Sequence, residues 1–161
     1  MSGARLSDGT GTANVATGVP VLDHLLAELA RAARFDLALE IDPDDPEAEV
    51  DAAGTALGRA VAPRLEPGAY GEATIPADEA LAMVVVEASG RPLVVSNADL
   101  TSTRAGGLQS DLAATFLDEL ADAAGLTIHV RLIEGKDSQH VLSAIFKALG
   151  IALANATRGE A

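Results

Sequence analysis

One stretch of this chain is written twice. Leu25 to Ile41, LLAELARAARFDLALEI, lies over Phe116 to Leu132, FLDELADAAGLTIHVRL, at a displacement of 91 residues. Glu28 falls on Glu119, Leu29 on Leu120, Ala30 on Ala121, and the pair Ala32 and Ala33 on Ala123 and Ala124. Phe35, Leu37, Leu39 and Ile41 then stand opposite Leu126, Ile128, Val130 and Leu132, so the apolar spacing changes from helical to alternating at the same place in both copies. After one inserted residue the match resumes at a displacement of 92, with Ala52, Ala56, Leu57, Gly58, Ala60 and Ala62 opposite Ala144, Ala148, Leu149, Gly150, Ala152 and Ala154. Alanine is frequent here and chance supplies some identities; it does not supply the matched order of patterns. Such a chain is constrained to fold as two similar halves.

Each half reads helix, strand, polar loop, helix. The first helices are expected over about Val21 to Arg34 and Asp111 to Ala124, and the strands over Phe35 to Ile41 and Leu126 to Ile133. The second helices are expected over about Glu49 to Ala62 and Ser138 to Thr157, with Pro63 closing the earlier one. Tyr70 to Ile75, Ala82 to Ala88 and Pro92 to Ala98 read as further strands separated by Pro-Ala-Asp and Ser-Gly-Arg-Pro turns. The opening residues, rich in Gly, Ser, Thr and Asn, and those after Thr157 carry no clear pattern. The expected class is α+β: largely antiparallel sheets with helices packed on one face, in two similar halves. The 161 residues suit one domain, with pseudo-repeats at about 17–92 and 93–157.

Composition narrows the function. With 11 basic against 24 acidic residues and a net charge of −13, the surface repels phosphate backbones and anionic lipid, so neither nucleic acid nor a membrane is expected as partner. Aromatic residues are 2% of the chain, so the core rests on small aliphatic side chains and large contacts with neighbouring copies would help it. The absence of cysteine excludes disulfides, thiolate metal sites and a catalytic thiol. No signal-peptide pattern and no apolar run of about 20 residues is seen, and the expected location is the cytoplasm.

Three histidines stand at informative places. His24 follows Asp23 in GVPVLDHLL; His129 alternates with the core residues of its strand and shares a face with Thr127 and Arg131. His140 begins the last helix, and Lys147 lies two turns further along the same stripe. That pair reads either as an anion-binding stripe at a helix N-terminus or as a solvated helix start. In the first half, Glu47 and Asp51 take the corresponding face, either as two carboxylates that hold a hard cation or as acid favoured at a helix start. Arg91 sits at the tip of the turn in EASGRPLVVSNADL, either a binding cation or a simple hairpin residue. No dinucleotide fingerprint, phosphate-binding glycine loop or zinc-protease motif is present.

Taken in order, TGVPVLDHLLAELAR, FDLALEI, LGRAV, IPADEALAMVVVEASGRPLVVSNADL and LTIHVRLIEGKDSQHVLSAIFKALGIAL make the chain resemble imidazoleglycerol-phosphate dehydratase, the lyase family of histidine biosynthesis, from Thr17 to about Thr157. The resemblance implies a duplicated βαβ-type architecture, of the kind seen in ribosomal protein S5 domain 2, assembled as trimers into shells of up to 24 subunits. It implies active sites between subunits, each with two manganese ions held by histidines and carboxylates, and catalytic roles for His24, Glu79, His129 and His140. Arg91 and Lys147 match residues that hold the substrate phosphate.

The match fails where the metals belong. Two His-His-x-x-Glu motifs are implied; here they read Glu47, Ala48 and Asp51, and Gln139, His140 and Ser143. His24 is kept, its counterpart in the second half is Thr115, and a third phosphate-binding arginine falls at Ala69. The family's N-terminal strand is largely missing and its Ser-Lys-Gly loop would lie past Ala161. The expectation is a dehydratase-fold homo-oligomer with lyase activity lost or strongly reduced, binding a small phosphorylated molecule. It would hold at most one manganese, with His24, Glu47, Asp51 and His140 as the remaining ligands. The alternatives are a working lyase with one rebuilt metal site and a non-catalytic subunit of a mixed shell.

Overall fold

The computed structural model describes residues 2–97 and 112–159. Its elements run β1 (Gly3–Asp8), β2 (Ala13–Ala16), α1 (Pro20–Ala33), β3 (Phe35–Glu40), α2 (Pro46–Val61), β4 (Tyr70–Ala77), β5 (Ala80–Glu87), β6 (Leu93–Ser96), α3 (Leu112–Ala124), β7 (Thr127–Glu134) and α4 (Ser138–Thr157). Two sheets form, ordered β1-β3-β2 and β4-β5-β7-β6. In each, the strand after the first helix is central: β3 pairs antiparallel with β1 and parallel with β2, and β7 pairs antiparallel with β5 and parallel with β6. The duplicated α+β architecture expected from the repeat is what the chain adopts.

Four layers result. Helices α1 and α2 cover the first sheet and α3 and α4 the second, while the two helix layers meet as α1 against α4 and α2 against α3. Each half therefore packs its first helix on the second helix of the other half. Leu22, Leu25, Leu26 and Leu29 of α1 and Ile145, Phe146 and Leu149 of α4 are fully buried, and Phe116 of α3 meets Phe146 at 5.2 Å between ring centroids. Glycine sets the approach. A methyl group at Gly150 would sit 2.5 Å from the Leu29 carbonyl oxygen, and one at its repeat partner Gly58 would sit 2.6 Å from Cβ of Ala123. The first helices also end alike, with left-handed residues at Arg34 (φ 56°) and Gly125 (φ 68°).

Several sequence expectations are corrected. The opening residues form β1 and β2: alternate side chains of β1 are part-buried, and β3 supplies the hydrogen-bonding partners for both strands. Helix α2 starts at Pro46, because Asp45 accepts the Ala48 N–H (2.9 Å) and Pro at the first helical position needs no partner for its nitrogen. The Ser-Gly-Arg-Pro turn is not a hairpin, since β7 lies between β5 and β6. Helix α4 is long and apolar enough to cross a membrane by length and composition, contrary to expectation, but it packs against α1, β4 and β5 as a core helix. Ala98 and Asp111, the expected ends of a strand and a helix, lie outside the described residues.

Candidate functional site

Where α1 meets α4, a cleft of about 250 Å³ opens beside the β4–β5 turn, lined by His24, Glu28, Asp78, Gln139, His140 and Ser143 among others. Local chemistry fixes its walls. Thr17 donates both its backbone N–H (2.9 Å) and its hydroxyl (2.5 Å) to Asp23, which anchors the entry to α1 and sets His24 on the next position. On the other wall, Asp137 caps α4 by accepting the N–H groups of Gln139 (2.9 Å) and His140 (3.2 Å).

His140 is held at both ring nitrogens. Its Nδ1 lies 2.5 Å from Glu79 Oε1 and its Nε2 3.3 Å from Asp78 Oδ2. Asp78 occupies the tight turn in a left-handed conformation (φ 52°). Glu79 Oε2 accepts the backbone N–H groups of Asp137 (3.0 Å) and Lys136 (3.1 Å). The Asp137 N–H first, and then His140, hold the Glu79 carboxyl at about 2. In return the hydrogen bond to Glu79, with the Asp137 and Asp78 charges behind it, raises His140 above its ordinary value, so imidazolium is favoured.

The other side of the cleft is organised by a residue that sequence reading had not singled out. Glu28, its side chain only 11% exposed, accepts a hydrogen bond from Ser143 Oγ (2.7 Å), lies 3.2 Å from His24 Nε2 and 3.7 Å from Lys147 Nζ. Its match with Glu119 in the repeat was the only sequence signal. His24 is otherwise open to solvent, with a side chain 70% exposed.

The remaining candidates do not join this cleft within one chain. Glu47 and Asp51 lie on α2, and Asp51 faces Glu119 of α3. Burial, with Asp51 and Asp122 nearby, raises the Glu119 carboxyl, and Thr55 Oγ1 stands 3.4 Å away. Thr115, on α3, takes the position that His24 has on α1. His129 is exposed on β7 between Val85 and Val95, on the face of the second sheet away from the helices. Arg91 lies beyond the far end of β5, where Ser89 Oγ accepts its N–H (3.1 Å) and its carbonyl accepts the Thr127 hydroxyl (3.0 Å). The eight residues of β5 separate it from Glu79 by roughly 26 Å at about 3.3 Å per residue. Larger grooves, of about 420 and 520 Å³, cross the first sheet beside Arg5, Asn14 and Ala38 and hold none of these candidates. Among the described residues, no three His, Asp or Glu side chains of one chain converge as a metal cluster.

Comparison with known proteins bears on this geometry. The family model described as imidazoleglycerol-phosphate dehydratase matches residues 17–153. The imidazoleglycerol-phosphate dehydratase of Pelobacter propionicus is 39% identical over 158 residues, covering 94% of this chain and 81% of the relative. That of Paraburkholderia xenovorans is 40% identical over 157 residues, covering 93% and 80%. The crystal structure of imidazoleglycerol-phosphate dehydratase from Staphylococcus aureus superposes with a TM-score of 0.83 at 32% identity, covering 95% of this chain and 91% of that one.

Proposed function

The chain belongs to the imidazoleglycerol-phosphate dehydratase family, and from that membership we propose that it retains the scaffold with its lyase activity lost or strongly reduced. In this reading Lys147 and His140 hold a small phosphorylated ligand, with Arg91 supplied by a neighbouring copy.

The donor chemistry of the helix starts carries the proposal. Ala48, Gln139 and Ser143 stand where the resemblance places metal ligands, and none offers an imidazole or a carboxylate; nor does Thr115, the counterpart of His24 in the second half. Of the imidazoles present, His140 is bracketed by Glu79 and Asp78, His24 is engaged by Glu28, and His129 is on another face. A manganese ion takes about six oxygen or nitrogen ligands, so a pair asks for up to a dozen, less those from water and substrate. The residues present do not fit two such ions, and losing even one ligand or its orienting partner typically costs about 10–100-fold in affinity or activity.

Anion binding suits what remains. An imidazolium at His140 stands in the first turn of α4, where the helix dipole also favours negative charge, and the Lys147 ammonium lies two turns further along the same stripe. Because Arg91 is remote within one chain, its participation requires a second copy, and a homo-oligomer built from trimers, up to 24 subunits, is part of the proposal.

The test is turnover of imidazoleglycerol phosphate by the purified protein with manganese. The expected rate is at least about a hundredfold below the ~10 s⁻¹ typical of enzymes. Metal-dependent turnover in the ordinary range overturns the proposal. The proximity of Asp51 and Glu119 favours a second reading, in which Glu47 and Asp51 with His24 or His140 of a neighbouring copy hold one metal ion. It predicts one equivalent of manganese, lost in Glu47→Ala.

A further inference from the structure

We infer that Glu28 is a built-in anion: it occupies the donors of the cleft between α1 and α4, and a phosphorylated ligand binds there only by competing with its carboxylate. The inference rests on the reading of Lys147 as an anion-binding group and adds what governs it.

Three groups that would recognise a phosphate are already turned toward one carboxylate. Ser143 and Lys147 are four residues apart on α4, so they stand one above the other and a single acceptor from the facing helix reaches both. Glu28 is that acceptor, at 2.7 Å from the Ser143 hydroxyl and 3.7 Å from the Lys147 ammonium, with His24 Nε2 at 3.2 Å from α1 itself. Carboxylate and phosphate oxygens take the same donors, so the two compete rather than combine. With its side chain 11% exposed, Glu28 is less solvated than Lys147 (32%) or His24 (70%), and its negative charge is poorly screened from an anion placed beside Lys147.

The other half of the molecule supplies an internal control. Glu119 occupies the equivalent place on α3, yet it faces Asp51 where Glu28 faces Ser143, Thr55 where Glu28 faces Lys147, and Thr115 stands in for His24. The scaffold therefore places a glutamate at both positions, and only at Glu28 is it surrounded by groups suited to an anion.

The experiment titrates inorganic phosphate into the intact protein and its Glu28→Gln, Glu119→Gln, Lys147→Ala and Glu28→Gln/Lys147→Ala variants, reading binding from the NMR shifts of the histidine rings. Gln keeps the acceptor for Ser143 while removing the charge; Glu28→Ala makes the same comparison if the Gln variant does not fold. At least tenfold tighter binding is expected for Glu28→Gln, no tightening for Glu119→Gln, and loss of the gain when Lys147→Ala is added. Unchanged or weaker binding in Glu28→Gln, with wild-type binding abolished by Lys147→Ala, overturns the inference while leaving the ligand reading intact. Equal tightening in Glu119→Gln, or a gain that survives Lys147→Ala, also overturns it, since the effect would then be one of overall charge. Absence of phosphate binding in both wild type and Glu28→Gln overturns the inference and the ligand reading together.

Discussion

The junction of α1 with α4 and the junction of α2 with α3 are the same packing made twice, and they differ in charge. At the first, Glu28 meets a hydroxyl, an imidazole and an ammonium; at the second, Glu119 meets another carboxylate and one distant hydroxyl. Both junctions use a glycine on the second helix, Gly150 or Gly58, to bring backbones together. Duplication has thus preserved what holds the helices and released what faces the solvent between them. Three positions decide the contrast: Ser143 against Asp51, Lys147 against Thr55, His24 against Thr115.

The comparison breaks most visibly in the packing. Phe146 fills the α4 side of the core and touches Phe116, while its counterpart on α2 is Gly54, where a methyl group would lie 2.6 Å from the Phe116 carbonyl oxygen. Phe146→Ala is expected to cost about 3–5 kcal/mol in chemical denaturation. Gly58→Ala and Gly150→Ala are expected to cost about 1–3 kcal/mol each, by similar amounts, if the two junctions are equivalent in geometry. A cost at one glycine alone would show that only one junction is tightly closed.

The electrostatic contrast is sharpened by exchanging the deciding residues. Ser143→Asp sets a second carboxylate against Glu28 and removes its hydrogen bond, for an expected loss of about 1–2 kcal/mol at neutral pH. Asp51→Ser relieves Glu119, for an expected gain of less than about 0.5 kcal/mol, since Asp51 is exposed and burial rather than Asp51 is the first cause of the raised Glu119 carboxyl. Because Glu119 titrates above its ordinary value when folded, its penalty is present at neutral pH and disappears as pH falls through that raised value. The Asp51→Ser gain should shrink on acidification in the same window.

The smallest effect concerns protons rather than folding energy. Glu79→Gln is expected to return the His140 titration, followed by NMR, downward toward the usual 6.5. The signs for stability follow from linkage. The His140 contribution is complete below 6.5 and is lost as pH rises through its raised value, whereas that of Glu79 is present above 4.5 and is lost as pH falls toward about 2. An unchanged His140 titration in Glu79→Gln would mean that the short contact does not bias the imidazole.

Much of the fold was legible because its signals are local. Apolar periodicity marked α1, β3, α3, β7 and α4, and the repeat required two halves. Strands β1 and β2 were not legible, because Gly3, Ala4 and Asp8 in the one and Ala13, Asn14 and Ala16 in the other are poor strand formers, and pairing with β3 supplies the order. At the site, the position of His140 at the start of the last helix could be read, but its partner could not: Glu79 is 61 residues earlier, brought close by a tight turn. Glu28 was visible only as a repeated letter, since its meaning comes from Ser143 on a helix 115 residues away. For His129 alternation gave the face of β7 it takes, away from the helices, but not what meets that face, since alternation reports direction and nothing of what lies beyond.

The claim beneath this reading is that the side chains at the helix starts cannot supply a pair of metal ions. Elemental analysis of the assembled protein, purified without chelator and equilibrated with manganese, addresses it most directly. The account predicts at most one equivalent per chain; two tightly held equivalents per chain would contradict it.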